Sequence, residues 1–127
     1  MTFLIDSSVW IALFLDFDTQ HTKAVRVFPT LTGTTYAPYC VIGEVATILA
    51  YKHSKTQADS FLKYLEDNSG VVLLDDNAED EIAFYKSFNH KMSFTDASLI
   101  FLSKKLNAEL VTFDQQLTRI AKMSSHK

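Results

Sequence analysis

Residues 3–10 read Phe-Leu-Ile-Asp-Ser-Ser-Val-Trp, and this stretch decides the fold class. Phe3-Leu4-Ile5 is an apolar run without polar alternation, the pattern of a strand buried on both faces. Asp6 ends it. Ser7 or Ser8 can then open a helix through Val9, Trp10, Leu13 and Phe14, because a hydroxyl at the N-cap satisfies an unpaired helix N–H.

The same alternation recurs outward along the chain. A helix is expected from about His21 to Phe28, with Ala24, Val25 and Phe28 on one face. Thr34 to Tyr36 is a second strand after Gly33, and Pro38 suits the first turn of a helix running to about Lys52. Thr56 opens a helix with Ala58, Phe61, Leu62 and Leu65 on one face, and Asn68-Ser69-Gly70 stops it. Val71 to Leu74 is a third strand. Asn77 to about Phe88 is helical, with Ile82 and Tyr85 inward. Ser93 to Thr95 cap a helix from Asp96 to Leu106, with Leu99, Ile100 and Leu102 toward the core. Leu110-Val111-Thr112 is a fourth strand. A last helix carries Leu117, Ile120 and Ala121, and Ser124 to Lys127 is expected to fray.

Short apolar strands alternating with helices predict an α/β fold, a parallel sheet of four or five strands with helices on both faces, as a single domain over 1–127. In such sheets ligands bind beyond the carboxyl ends of the strands. Asp6, Asp75, Asp76 and Asp114 all lie just past strand ends.

Composition narrows the function classes. Of 127 residues, 47% are hydrophobic, enough for a packed core, and three glycines with two prolines exclude a loop-rich chain. A single cysteine, Cys40, excludes an internal disulfide and fits a reducing cytosol. The start MTFLIDSS lacks the basic region of a signal peptide, and Tyr36 to Tyr51 is too short and carries Glu44, so neither export nor membrane insertion is expected. Net charge is −3, but it is unevenly spread: residues 1–85 hold 5 Lys/Arg against 12 Asp/Glu, residues 86–127 hold 7 against 3. An acidic sum therefore does not exclude a polyanionic substrate if some of the acids bind cations.

Four carboxylates stand out. Glu44 is the only charge between Tyr36 and Tyr51, and its neighbours at three and four residues are Cys40, Val41, Thr47 and Ile48. A carboxylate on an apolar surface calls for a partner or a metal; the alternative is a helix open to water on that side. Asp6 could be a helix cap, although Ser7 and Ser8 are available for that. Asp96 sits in a first turn, where the helix dipole favours an acid. Asp114 could cap the last helix. Singly each has a structural explanation. Together they form a set of oxygen ligands suited to Mg²⁺ or Mn²⁺.

The ordered set Asp6-Ser7-Ser8-Val9, Glu44 after Pro38, Ser93-Phe94-Thr95-Asp96-Ala97 and Val111-Thr112-Phe113-Asp114 resembles the PIN-domain ribonucleases, and within them the VapC-type toxins. The resemblance spans residues 3–121. It implies a core acidic triad of Asp6, Glu44 and Asp96, a fourth acid at Asp114, and hydroxyls at Ser8 and Thr112 that orient the ligands. It also implies a metal-dependent cut of RNA, a small cognate antitoxin as partner, and a homodimer. The family's further strand after the last helix has no evident counterpart in Met123 to Lys127.

Other residues read more plainly. Lys86, His90, Lys91, Lys104, Lys105, Arg119 and Lys122 could meet RNA phosphates, with Lys91 and His90 the best placed in sequence before Asp96. The histidines at 21, 53, 90 and 126 lack the spacing of a zinc site. Cys40 reads as core rather than as a nucleophile, and Trp10, Phe14 and Phe28 as core or dimer contact rather than as base-stacking platforms. Two rival classes are weaker. A two-component receiver domain expects an acidic pair after the first strand and a lone Asp after the third, the reverse of Asp6 and Asp75-Asp76. A catalytically silent PIN-like module would bind RNA or protein without needing all four acids. Acids gathered without a cation repel, so Asp6→Asn and Asp96→Asn are both expected to raise the metal-free melting temperature.

Overall fold

The structure, a computed structural model, describes residues 1–75 and 77–124. Four parallel strands, β1 (Thr2–Ile5), β2 (Thr34–Pro38), β3 (Val71–Leu74) and β4 (Glu109–Val111), form one sheet in the order β3-β2-β1-β4. The helices among the described residues are α1 (Ser7–Phe14), α2 (His21–Val27), α3 (Tyr39–Lys52), α4 (Lys55–Asp67), α5 (Ala78–Ser87), α6 (Phe94–Lys105) and α7 (Gln115–Ser124), with a 3-10 turn at Phe28–Thr30. The parallel α/β expectation holds, and among the described residues there is no fifth strand. Ser125 to Lys127, where the tail was expected to fray, lie outside the described residues, as does Asp76.

The strand order sets the position of any site. From β1 the chain steps to β2 and β3 on one side, then returns to β4 on the other. The connections thus diverge between β1 and β4, and a crevice forms beyond their carboxyl ends. Register fixes that end: Ile5 pairs with Val111, and the Asp6 N–H donates to the Val111 carbonyl at 2.9 Å.

The core explains why these apolar runs became strands. Leu4 and Ile5 are fully buried, as are Val41, Val45 and Leu49 of α3 and Leu99 and Ile100 of α6. Trp10 is also fully buried, at the centre of an aromatic cluster with Phe28 and Phe61 at 5.6 and 5.4 Å and Tyr64 at 6.0 Å. Such ring pairs add stability beyond the area they bury. Gly33 has φ +135°, and a Cβ there would sit 2.2 Å from the Met1 carbonyl oxygen, so only glycine fits this entry to β2. Asn107 takes the left-handed conformation, φ 51°, that turns α6 into β4.

Several expectations are corrected. Ile82 and Tyr85 are exposed rather than inward, and Val25 of α2 is exposed as well. In α5 the buried positions are one residue off: Glu81 is buried and Phe84 packs on Phe101 of α6 at 5.5 Å. The reason is position, because α5 follows the edge strand β3 and has α6 on one side. That edge is itself open: Val72 and Leu73 point to opposite faces, and both are exposed. The sheet is therefore not covered on both faces at β3. Pro38 ends β2 and occupies the N-cap position of α3 instead of its first turn. Helix α6 begins at Phe94, two residues before the expected start, with Ser93 alone as its cap.

Candidate active site

Asp6 is the best-held of the four acids. It is buried, and its carboxylate accepts from the Ser7 N–H on Oδ1 at 2.7 Å. On Oδ2 it accepts from the Ser8 hydroxyl at 2.8 Å and the Thr112 hydroxyl at 2.7 Å. Asp6 is thus the N-cap of α1, a role the sequence assigned to Ser7 or Ser8. The reason is chain direction: the strand ends at Ile5, so the first residue able to turn into the helix is the acid. Capping leaves one oxygen oriented and does not exclude a second role.

Ser8 and Thr112, the two hydroxyls that the family resemblance implied would orient ligands, both donate to the Asp6 carboxylate. Each hydroxyl is held in turn. Thr112 Oγ1 accepts from the Asp114 N–H at 3.0 Å, and Ser8 Oγ accepts from the Phe113 N–H at 3.4 Å. Donating side chains that are themselves anchored fix an acid's rotamer.

Glu44 lies in the second turn of α3, and the Ser7 hydroxyl donates to its Oε1. The burial argument made for Glu44 is overturned: it is exposed, beside the buried stripe of Val41 and Val45 rather than within it. Helix α3 is open to water on the Glu44 side, which removes the desolvation cost. Ser7 was missed in the sequence. The only available signal was the doublet Ser7-Ser8 directly after Asp6, which supplies one hydroxyl to each of two acids.

Asp96 is half-buried at the third residue of α6, and its N–H donates to the Ser93 hydroxyl at 3.1 Å. α6 runs back toward the start of β4, so its first turn stands at the carboxyl end of the sheet. Burial pushes the Asp96 carboxyl above its ordinary range, and the charges of Asp6, Asp114 and Glu44 push it the same way. A hydrogen bond with Ser93 opposes them. The four acids named from sequence therefore share one electrostatic field. Asp114 is exposed and caps α7, with Oδ1 accepting from the Gln116 and Leu117 N–H groups at 2.9 and 3.1 Å.

The ion pairs Lys55–Asp59 and Lys63–Asp67 both lie along α4 and involve none of the four acids. Nor do any three His, Cys, Asp or Glu side chains among the described residues stand within ligating reach of one ion as they are placed. Closure on a cation would fall to the exposed side chains Glu44 and Asp114. Lys91 and His90 are exposed just before α6, and the His90 ring lies 5.1 Å from that of Phe88. No helix among the described residues is long and apolar enough to cross a membrane.

Comparison with known proteins gives two findings. The structure is similar to the crystal structure of VapC20 of Mycobacterium tuberculosis, described as a sarcin–ricin loop cleaving toxin, with a TM-score of 0.82 over 94% of this chain and 95% of that one. Sequence identity is 19%, so the likeness is one of fold. No curated protein matches the chain in sequence. The family model of the PIN domain matches residues 3–123. With that match the chain belongs to the PIN domain family.

Proposed function

We propose that this chain is a divalent-metal-dependent ribonuclease and the toxin of a toxin–antitoxin pair, with Asp6, Glu44, Asp96 and Asp114 as its metal-binding acids. The observation that carries this is Asp96 at the start of α6, half-buried, its carboxyl pushed above its ordinary range first by burial and then by the charges of Asp6, Asp114 and Glu44. A fold does not retain such repulsion without cause, and a hard cation would relieve it. Membership of the PIN family and the fold shared with VapC20, a toxin that cleaves RNA, support the same reading.

The donor set suits Mg²⁺ or Mn²⁺, because every candidate ligand is a carboxylate oxygen. When bound, such an ion would supply an activated water and would neutralise charge on the leaving oxygen of a phosphodiester. The chain's own residues do the rest. Ser7, Ser8 and Thr112 hold Asp6 in one rotamer. Asp96 and Asp6 form the centre of the site. Glu44 and Asp114 complete it from exposed positions. The physiological partners in this reading are an RNA substrate, a small antitoxin protein and a second copy of the chain, and its setting is the cytoplasm.

The test is degradation of total RNA by the purified chain, free of any partner protein, with Mn²⁺ or Mg²⁺ and with EDTA as control. Cleavage that needs the metal and is lost in Asp96→Asn is expected. Intact RNA under all these conditions would favour a silent RNA- or protein-binding module.

A further inference from the structure

A cavity of about 500 Å³ opens between α2 and α7, lined by Lys23, Phe113, Gln115, Arg119 and Lys122. It begins at Thr112, the residue whose hydroxyl is bonded to Asp6. Among the described residues its lining includes no acid, and three basic residues meet there although the net charge of the chain is −3. The Lys23 ammonium stands 4.7 Å above the Phe113 ring, a cation–π contact that positions it at the cavity instead of leaving it to sweep through solvent. A solvated charged surface would intersperse acids with these bases.

We propose that this cavity binds a backbone phosphate of the RNA substrate, next to the bond that is cut, through Lys23 and Arg119, with Lys122 at its rim. The inference rests on the ribonuclease reading and adds the place where the strand is held. Two neighbouring regions of opposite character suit one polymer. The acidic crevice can take a phosphodiester only with cations between them. The basic cavity takes the next phosphate directly, as point charges and a guanidinium fork do. Arg119 was weighed from sequence only as one of seven scattered bases. The structure pairs it with Lys23, from a helix 96 residues earlier in the chain.

The experiment measures binding in EDTA, where no cleavage occurs, of a labelled single-stranded RNA that the wild-type chain cuts when metal is added. The K23Q/R119Q variant should bind about tenfold more weakly, and its log affinity should fall with log salt by about 0.7 less for each charge removed. The charge-keeping K23R/R119K variant should restore both. Thermal melting checks the fold, and K23Q and R119Q taken singly give the same comparison should the double variant melt early. Equal affinity and equal salt slope for wild type and K23Q/R119Q would overturn the proposal. So would a defect confined to binding of polyglutamate, which would make the cavity a protein-docking site. A wild-type chain that cuts RNA but shows no effect of these changes sinks this inference alone. One that neither cuts nor binds RNA sinks the ribonuclease reading with it.

Discussion

The Thr112 hydroxyl donates to Asp6 Oδ2 at 2.7 Å while it accepts from the Asp114 N–H at 3.0 Å. One side chain thus ties the ends of β1 and β4 and aims the acid between them. Thr112→Val keeps the shape and removes the donor. It should lower stability by about 1–2 kcal/mol and RNA cleavage by about 10–100-fold. Thr112→Ser should recover most of both. Denaturant unfolding and initial rates check this, and a fully active Thr112→Val would show that Asp6 needs no such orientation.

The structure separates two substitutions that the sequence treated alike. The raised Asp96 carboxyl keeps its proton to higher pH in the folded chain than in the unfolded one. Without metal, stability therefore falls as pH rises from the ordinary value of 3.8 through the raised one. Asp96→Asn removes this cost, so at pH 7 it should melt a few degrees above wild type in EDTA, and the gap should close in acid below the ordinary value. A lower melting temperature at pH 7 would mean that the charge serves the α6 dipole more than it strains the site.

Asp6→Asn should behave in the opposite way. Its carboxylate caps α1 and accepts from two hydroxyls, and an amide cannot accept at both oxygens. A loss of about 2 kcal/mol is expected, together with loss of cleavage. Calorimetry in EDTA distinguishes this from the gain first expected for both acids.

Ser7 joins α1 to α3 through Glu44. Because Glu44 is exposed, it has no packing to hold it once that hydroxyl is gone. Ser7→Ala should cost about 1 kcal/mol of stability and raise the Mn²⁺ concentration needed for half-maximal cleavage. An unchanged metal requirement would remove Ser7 from the site.

Cleavage should leave a 5′ phosphate and a 3′ hydroxyl, because the proposed attack uses water instead of the RNA 2′ hydroxyl. A substrate with a 2′-deoxy residue at the scissile position should still be cut. A 2′,3′-cyclic phosphate among the products would contradict the mechanism.

Much of the molecule was legible along the chain. Phe3-Leu4-Ile5 is apolar because β1 lies inside the parallel sheet, and Leu110-Val111 because that stretch of the edge strand β4 packs on the core; both patterns survive without knowledge of neighbours. Burial on helix faces was less legible. Ile82 and Tyr85 follow a helical period yet face water, because α5 sits beside an open edge strand and meets α6 through Phe84. Periodicity marks an apolar stripe but not what lies across from it.

The four acids divide along the same line. Composition and periodicity marked Glu44 and strand–helix alternation the crevice at strand ends, while Asp6, Asp96 and Asp114 gained most of their weight from the resemblance to the PIN-domain ribonucleases. Their roles came from packing across long sequence separations. Glu44 drew notice for a burial it does not have, and Asp6, which seemed dispensable as a cap, is both cap and the most firmly held acid. The Ser7–Glu44 contact, the Thr112–Asp6 contact and the meeting of Lys23 with Arg119 join residues far apart in the chain. Only the strand order β3-β2-β1-β4 brings β4 beside β1 and α7 beside α2, so no spacing along the chain could have announced them.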